Sequence, residues 1–332
     1  MSGLAAGPTK TASSGAVIAR RVAILIAVLA LIAVPFVIQQ VYYVNIASQI
    51  LLYAVFALGL NVLVGYAGLV SLGHAGLFGI AAYIDAYLLS AGHGHALAIS
   101  ATLLGALAAT AVFAALSLRA TGISFIMITL ALGEIIWGLA YRWISVTGGD
   151  NGISVSTRPA PFGIPLDSPQ AFYDATLVVF LMAVAVVAIF VRSPFGAALR
   201  GTRDQPRRMT ALGYHVWMIR FGAFMLSGLL TAAAGVLFVY YNEFISPQAL
   251  ALTASAEGLL MVISGGAGTL LGPVAGAALV VIVKNVVSAY ITRWNFMLGA
   301  IFVAIVIFMP EGLVPGAVRL TRSAWRATRP KP

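Results

Sequence analysis

Four ionisable side chains, Asp85, Glu134, Glu257 and Lys284, stand inside long apolar stretches, accompanied by His74 and by Asn61, one turn before Gly65. At the centre of a lipid-embedded helix each charge costs about 2.5–3.5 kcal/mol on insertion scales, so each is expected to face a bundle interior or a water-filled cavity. Two chemistries fit. One is a path that recognises a polar or zwitterionic solute; the other is an internal clamp, such as a carboxylate holding the amides of a broken helix. Both readings stand for Glu257, which shortly precedes a break at Ser264–Gly268. Interfacial exposure is the simpler reading of Asp85, near the end of its stretch, and Lys284 can snorkel outward. Covalent chemistry finds no equipment, because the chain has no cysteine and no His-Glu-x-x-His pair. His93 and His95 have a spacing that chelates a metal weakly, and solvated loop histidines are the plainer reading, so no metal site is expected. No Gly-x-x-x-x-Gly-Lys-Ser/Thr phosphate loop occurs, so ATP, if it drives anything here, is expected on another chain.

The elements holding these residues follow from composition. Of 332 residues 61% are apolar and only 8% charged, against about 25% charged in soluble domains. Residues 22–84 contain no Asp, Glu, Lys or Arg, a run too long for one span of about 20 residues, so it must fold back within a bilayer. The apolar runs give about ten candidate spans: 22–38, 46–64, 71–90, 96–117, 121–141, 173–191, 218–241, 251–264, 270–291 and 296–309, with 251–264 short enough for a half-helix. The fold class is therefore an all-α polytopic transmembrane bundle. Residues 22–38 lack a convincing cleavage site and read as a retained first span. With the N-terminus inside, fifteen of the 19 Lys and Arg fall on the inner side and only Arg142, Arg158 and Arg293 outside. That bias orients the chain with both termini inside. The net charge of +10 lies in short loops and tails beside the spans, so lipid is the expected partner and nucleic acid is not. The chain divides into an N-terminal tail (1–21), a transmembrane region (22–315) and a basic C-terminal tail (316–332).

Two loops stand out. Residues 192–217 hold Arg192, Arg200, Arg203, Arg207 and Arg208 against Asp204, with Arg220 just beyond. Pro206 suits the first turn of a short helix over about 205–212, capped by Asp204 or Gln205, and Gly213 suits a left-handed stop. Such a helix fits docking to a cytoplasmic partner, or rest on anionic lipid. The outer loop 142–172 contains Gly148, Gly149, Asp150, Asn151 and Gly152, followed by Pro159, Pro161 and Pro165. Its length and turn chemistry fit a partner surface or a lid. Glycines at 65, 68, 73, 76 and 79, and at 265, 266, 268, 272 and 276 with Pro273, suit close helix packing or interrupted helices.

Four stretches in this order resemble the permease subunits of branched-chain amino acid ABC transporters, of the LivM type more than its LivH-type companion. They are Asn61 to Gly76 (Asn-Val-Leu-Val-Gly-Tyr-Ala-Gly-Leu-Val-Ser-Leu-Gly-His-Ala-Gly) with Phe78-Gly79-Ile80; Thr147 to Ile153; Ser193-Pro-Phe-Gly196 through Leu199-Arg200, Arg203-Asp204 and Ala211-Leu212-Gly213; and Glu257 with Met261 and Gly265 to Pro273. The resemblance covers about residues 45–315. It departs at 206–210 (Pro-Arg-Arg-Met-Thr), at Asp85 and at Lys284. It implies a type II ABC importer-like permease in a bacterial inner membrane, facing a second, LivH-type permease and fed by a solute-binding protein. Separate ATP-binding subunits would hold ATP and Mg. It further implies that Arg200, Arg203, Asp204, Ala211, Leu212 and Gly213 dock the ATPase. On the reading of the buried polar residues above, the cargo path would involve Asn61, His74, Asp85, Glu134 and Glu257, and the outer loop at Gly148, Gly149, Asp150, Asn151 and Gly152 would meet the binding protein. An ion-coupled secondary transporter working through Asp85 or Glu257 is the alternative.

Overall fold

The computed structural model describes residues 29–35, 37, 40–155, 166, 168–290, 294–316 and 319. The 1–21 tail, most of 316–332 and part of the expected span 22–38 lie outside them. Apolar sequence without backbone breakers closes its hydrogen bonds internally, and helices dominate accordingly. They are α1 (Val41–Asn61), α2 (His74–Ser90), α3 (His95–Ser117), α4 (Ile123–Arg142), α5 (Pro169–Arg192), α6 (Pro194–Asp204), α7 (Pro206–Ala211), α8 (Val216–Asn242), α9 (Leu252–Gly265), α10 (Gly272–Ile282) and α11 (Trp294–Phe308). Among the described residues, five segments are long and apolar enough to cross a membrane: Val41–Ala67, His95–Ser117, Ile123–Arg142, Pro169–Arg192 and Val216–Asn242. In place of the expected spans 251–264 and 270–291 stand shorter helices, Leu252–Gly265 and Gly272–Ile282, the second running through a π-helical turn, Val283–Val287, to Tyr290.

α1 is the axis of the bundle. The apolar stretch that contains it is 89% buried inside the protein, against 22% for α4 and 28% for α3 and α5. α1 packs on α5, α8 and α10, and α8 also lies on α2 and α3. α5, with 24 residues, is about 36 Å long. It therefore separates two ends of the molecule, one carrying the segment after Arg192 and the other the segment after Arg142. At the second end a two-residue antiparallel ladder interrupts the all-helical pattern: β1 (Ile153–Ser154) pairs with β2 (Phe244–Ile245), Ile153 opposite Ile245.

The short helix expected over about 205–212 is present as α7, and a second helix, α6, precedes it in the basic segment. Ser193 caps α6, its Oγ accepting from the Gly196 amide at 3.2 Å, and Pro194 and Pro206 start the two helices. Gln205 takes the cap position of α7 without a side-chain bond, and Gly213 adopts a left-handed φ of 86° as expected.

Candidate functional site

α9 and α10 form a hairpin, and their packing brings Glu257 on α9 to Lys284 in the π-helical turn that follows α10. The Lys284 ammonium donates to Glu257 Oε2 at 3.1 Å and to Oε1 at 3.3 Å. Lys284 thus turns into the bundle instead of snorkelling. A π-turn shifts the face on which following side chains emerge, and such turns recur at functional sites. Its position is fixed by the next residue, since Asn285 Nδ2 donates to Gln49 Oε1 on α1 at 2.9 Å.

The pair lines a cavity of about 270 Å³. Its wall is an aromatic cluster from three helices, with Phe56 and Phe78 rings 5.4 Å apart and Phe78 and Phe238 5.2 Å apart, edge to face. Tyr53 and Met261 complete the apolar side, and Gln248 stands at the rim. The Lys284 side chain is 41% exposed and that of Glu257 20%, so an entering solute can reach both charges. Gln248 Nε2 also donates to Asp150 Oδ1 at 3.1 Å, which ties the rim to the glycine loop. In that loop Gly148, Gly149 and Gly152 all hold positive φ, and Asn151 is exposed.

The basic end is built around two broken helices. α1 widens into a π-helical turn, Val62–Ala67, which stops at left-handed Gly68. Asn61 stitches this turn to the break after α9: its Nδ2 donates to Thr269 O and its Oδ1 accepts from the Gly268 amide, both at 2.9 Å. The contact requires glycine at 65, where a Cβ would lie 2.2 Å from the Gly268 nitrogen. Arg203 on α6 donates its Nη1 to Gly65 O. Arg203 therefore joins the basic segment to the first break, and Asn61 joins that break to the second.

The candidate path residues do not gather in one place. Only Glu257 lines the cavity. His74 is fully buried, its Nε2 2.8 Å from Ser227 Oγ and its Nδ1 2.8 Å from Ser71 Oγ. Ser227 gives its hydrogen to Gly59 O at 2.6 Å, so Nε2 donates to it and Nδ1 accepts from Ser71, which makes a neutral internal clamp. Asp85 is completely buried rather than interfacial, beside the Thr102 hydroxyl, with no hydrogen bond of ordinary geometry among the described residues. Glu134 is exposed, contrary to the expectation that it faces inward. On α4 the buried stripe is Phe125, Thr129, Gly133 and Ala140, and Glu134 falls one position, about 100°, off it.

Of the residues matched to a docking surface, Asp204, Ala211, Leu212 and Gly213 are exposed, and no residue of α7 is buried. Arg200 and Arg203 are exposed as well, and they also brace the protein itself, Arg200 Nη1 donating to Val191 O at 2.9 Å. The sequence reading missed three features: the Glu257–Lys284 pairing, the aromatic wall and the bond from Arg203 to Gly65 O. The first had a signal, since opposite charges 27 residues apart flank a Gly-Pro-containing hairpin turn.

Apolar helices broken at stitched glycine turns, with a charged cavity beneath a structured loop, define a multi-pass membrane transport component. The chain belongs to the family described as the permease component of branched-chain amino acid transport systems, whose profile matches residues 42–306. It is 29% identical to the high-affinity branched-chain amino acid permease LivM of Salmonella typhimurium over 92% of this chain and 77% of that protein. The Escherichia coli LivM protein is 30% identical over 88% of this chain and 74% of its own length. A solved metal-chelate type ABC transporter in an inward-facing conformation aligns at 18% identity with a TM-score of 0.49, covering 83% of this chain and 87% of that one.

Proposed function

We propose that this chain is the permease subunit of an ATP-driven importer of branched-chain or related small amino acids. The observation that carries the reading is the Arg203–Gly65 and Asn61–Gly268 stitching, which connects the basic segment to one broken helix and, through Asn61, to a second. ATP and Mg would be held by partner subunits that grip residues 200–213, with Asp204, Ala211, Leu212 and Gly213 as the contact face and Arg200 and Arg203 as its internal struts. Movement of that segment would rock the spans in alternating access. Gly148 to Gly152 would receive a solute-binding protein above the cavity rim. Glu257 would line the path, while Asn61 and His74 would hold the helices around it. Glu134, a charge on the least covered helix, suits a face turned to a second, LivH-type permease. The setting is a bacterial inner membrane, with about ten spans over 22–315, loops 142–172 outside and 192–217 inside, and both tails, 1–21 and 316–332, in the cytoplasm.

Asp85, buried without a well-formed partner, favours a second reading, a secondary transporter coupled to an ion at that carboxylate. Proteoliposomes separate the two. ATP-dependent uptake that needs co-reconstituted ATP-binding subunits supports the first reading. Gradient-driven uptake by this chain alone overturns it.

A further inference from the structure

We propose that the Glu257–Lys284 pair is the cargo site itself, recognising the ammonium and carboxylate of one α-amino acid while the Phe56–Phe78–Phe238 wall receives an aliphatic side chain. The inference rests on the permease reading above. Two opposite charges 3.1 Å apart match a ligand whose own opposite charges sit on one carbon. A zwitterion entering between them exchanges one ion pair for two charge-assisted contacts and brings no net charge into the cavity.

A ligand with only one of the charges makes one charge-assisted contact where a zwitterion makes two. The pair thus ranks α-amino acids above amines and simple carboxylates by the worth of one such contact. At about 270 Å³ the chamber lies just below the roughly 300–1,000 Å³ of small-molecule pockets, which limits the cargo to a small one. A purely structural ion pair has no need of an aromatic-walled cavity around it, nor of partial exposure of both groups.

The test uses the whole complex, with its ATP-binding subunits and second permease, purified in detergent without the binding protein. A cysteine introduced as Thr253→Cys, at the cavity lining, reports occupancy by its rate of maleimide labelling. L-leucine should slow labelling, whereas leucine methyl ester, lacking the carboxylate, and 4-methyl-2-hydroxypentanoate, lacking the ammonium, should protect at least about tenfold more weakly. Glu257→Gln should abolish the advantage of leucine over the hydroxy acid. The exchange Glu257→Lys with Lys284→Glu keeps the ion pair but transposes two substituents around the α-carbon, which is an inversion of configuration. Protection should therefore move from L- to D-leucine. Equal protection by all three compounds in the unexchanged cavity overturns the site, and so does unchanged L-leucine protection in Glu257→Gln. If leucine fails to protect while ATP-driven leucine uptake is intact, the site is wrong and the permease reading stands. If the complex transports no amino acid at all, the underlying reading fails.

Discussion

Asp85 and His74 show how much a neighbour decides. Both are fully buried polar side chains in apolar helices, yet His74 has two hydroxyl partners and Asp85 has none of good geometry. His74→Phe fills similar space against Phe224, whose ring lies 5.9 Å away, and removes only the hydrogen bonds. It should lower stability by about 1–3 kcal/mol, because Ser71 and Ser227 lose a buried partner. A lower melting temperature in detergent, with uptake retained below it, is the expected result. Asp85→Asn keeps shape and removes the titratable proton. ATP-driven uptake should survive this change within about twofold, since the lost group stabilises no partner. Abolished uptake at normal protein level would favour ion coupling. The sequence announced both residues through their cost in an apolar helix. It could not announce their fates, because partners such as Ser227, 153 positions away, are set by tertiary contact.

At the scale of elements, helix existence was legible and helix orientation was not. The charge-free run 22–84 dictated fold-back, and Pro206 with Gly213 bounded α7 correctly. A helix apolar on every side, such as α4, carries no stripe to say which face is covered, so the outward position of Glu134 was unreadable. The two-residue ladder β1–β2 is likewise too short to leave a pattern. The basic segment yields two predictions. Gly213 holds φ 86° in open space, where a side chain would meet nothing, so any effect of substitution is backbone strain. Gly213→Val should cost on the order of 1–2 kcal/mol and weaken co-purification of the ATP-binding subunits, while Gly213→Asn, which tolerates the left-handed region, should restore it. Arg203→Met keeps the stem that packs on Gly68 but loses the bond to Gly65 O. A hydrogen bond to a charged group is worth about 1.5–3 kcal/mol. The variant complex should still assemble and hydrolyse ATP, with uptake per ATP reduced roughly tenfold or more. Unchanged coupling would show that Arg203 only packs.

For the whole molecule, burial and charge give independent information about how the bundle sits. α1 is enclosed by the protein itself, whereas α3, α4 and α5 bury only a minority of their residues fully and each keeps an exposed apolar face. That surface must meet lipid or another subunit, so these helices mark the perimeter and their ends mark the two membrane faces. The positive-inside bias gives the expected cytoplasmic end, since most basic residues lie within 192–217 or in the tails. The native chain has no cysteine, so single thiols report position without background from this subunit. Asn151 is exposed in the glycine loop, and Thr210 is exposed on α7, where its hydroxyl only returns to Pro206 O at 3.1 Å. Neither replacement disturbs the core. In intact cells an impermeant maleimide should label Asn151→Cys and should reach Thr210→Cys only after permeabilisation. In permeabilised membranes, co-expressed ATP-binding subunits should then shield Thr210→Cys and leave Asn151→Cys unaffected, if they dock on the basic end as proposed. Labelling of Thr210→Cys from outside would invert the orientation, and with it the docking role given to α7. Labelling that is correct in side but unshielded by the ATP-binding subunits would leave α7 resting on the membrane surface, and the coupling route through Arg203 would lose its origin.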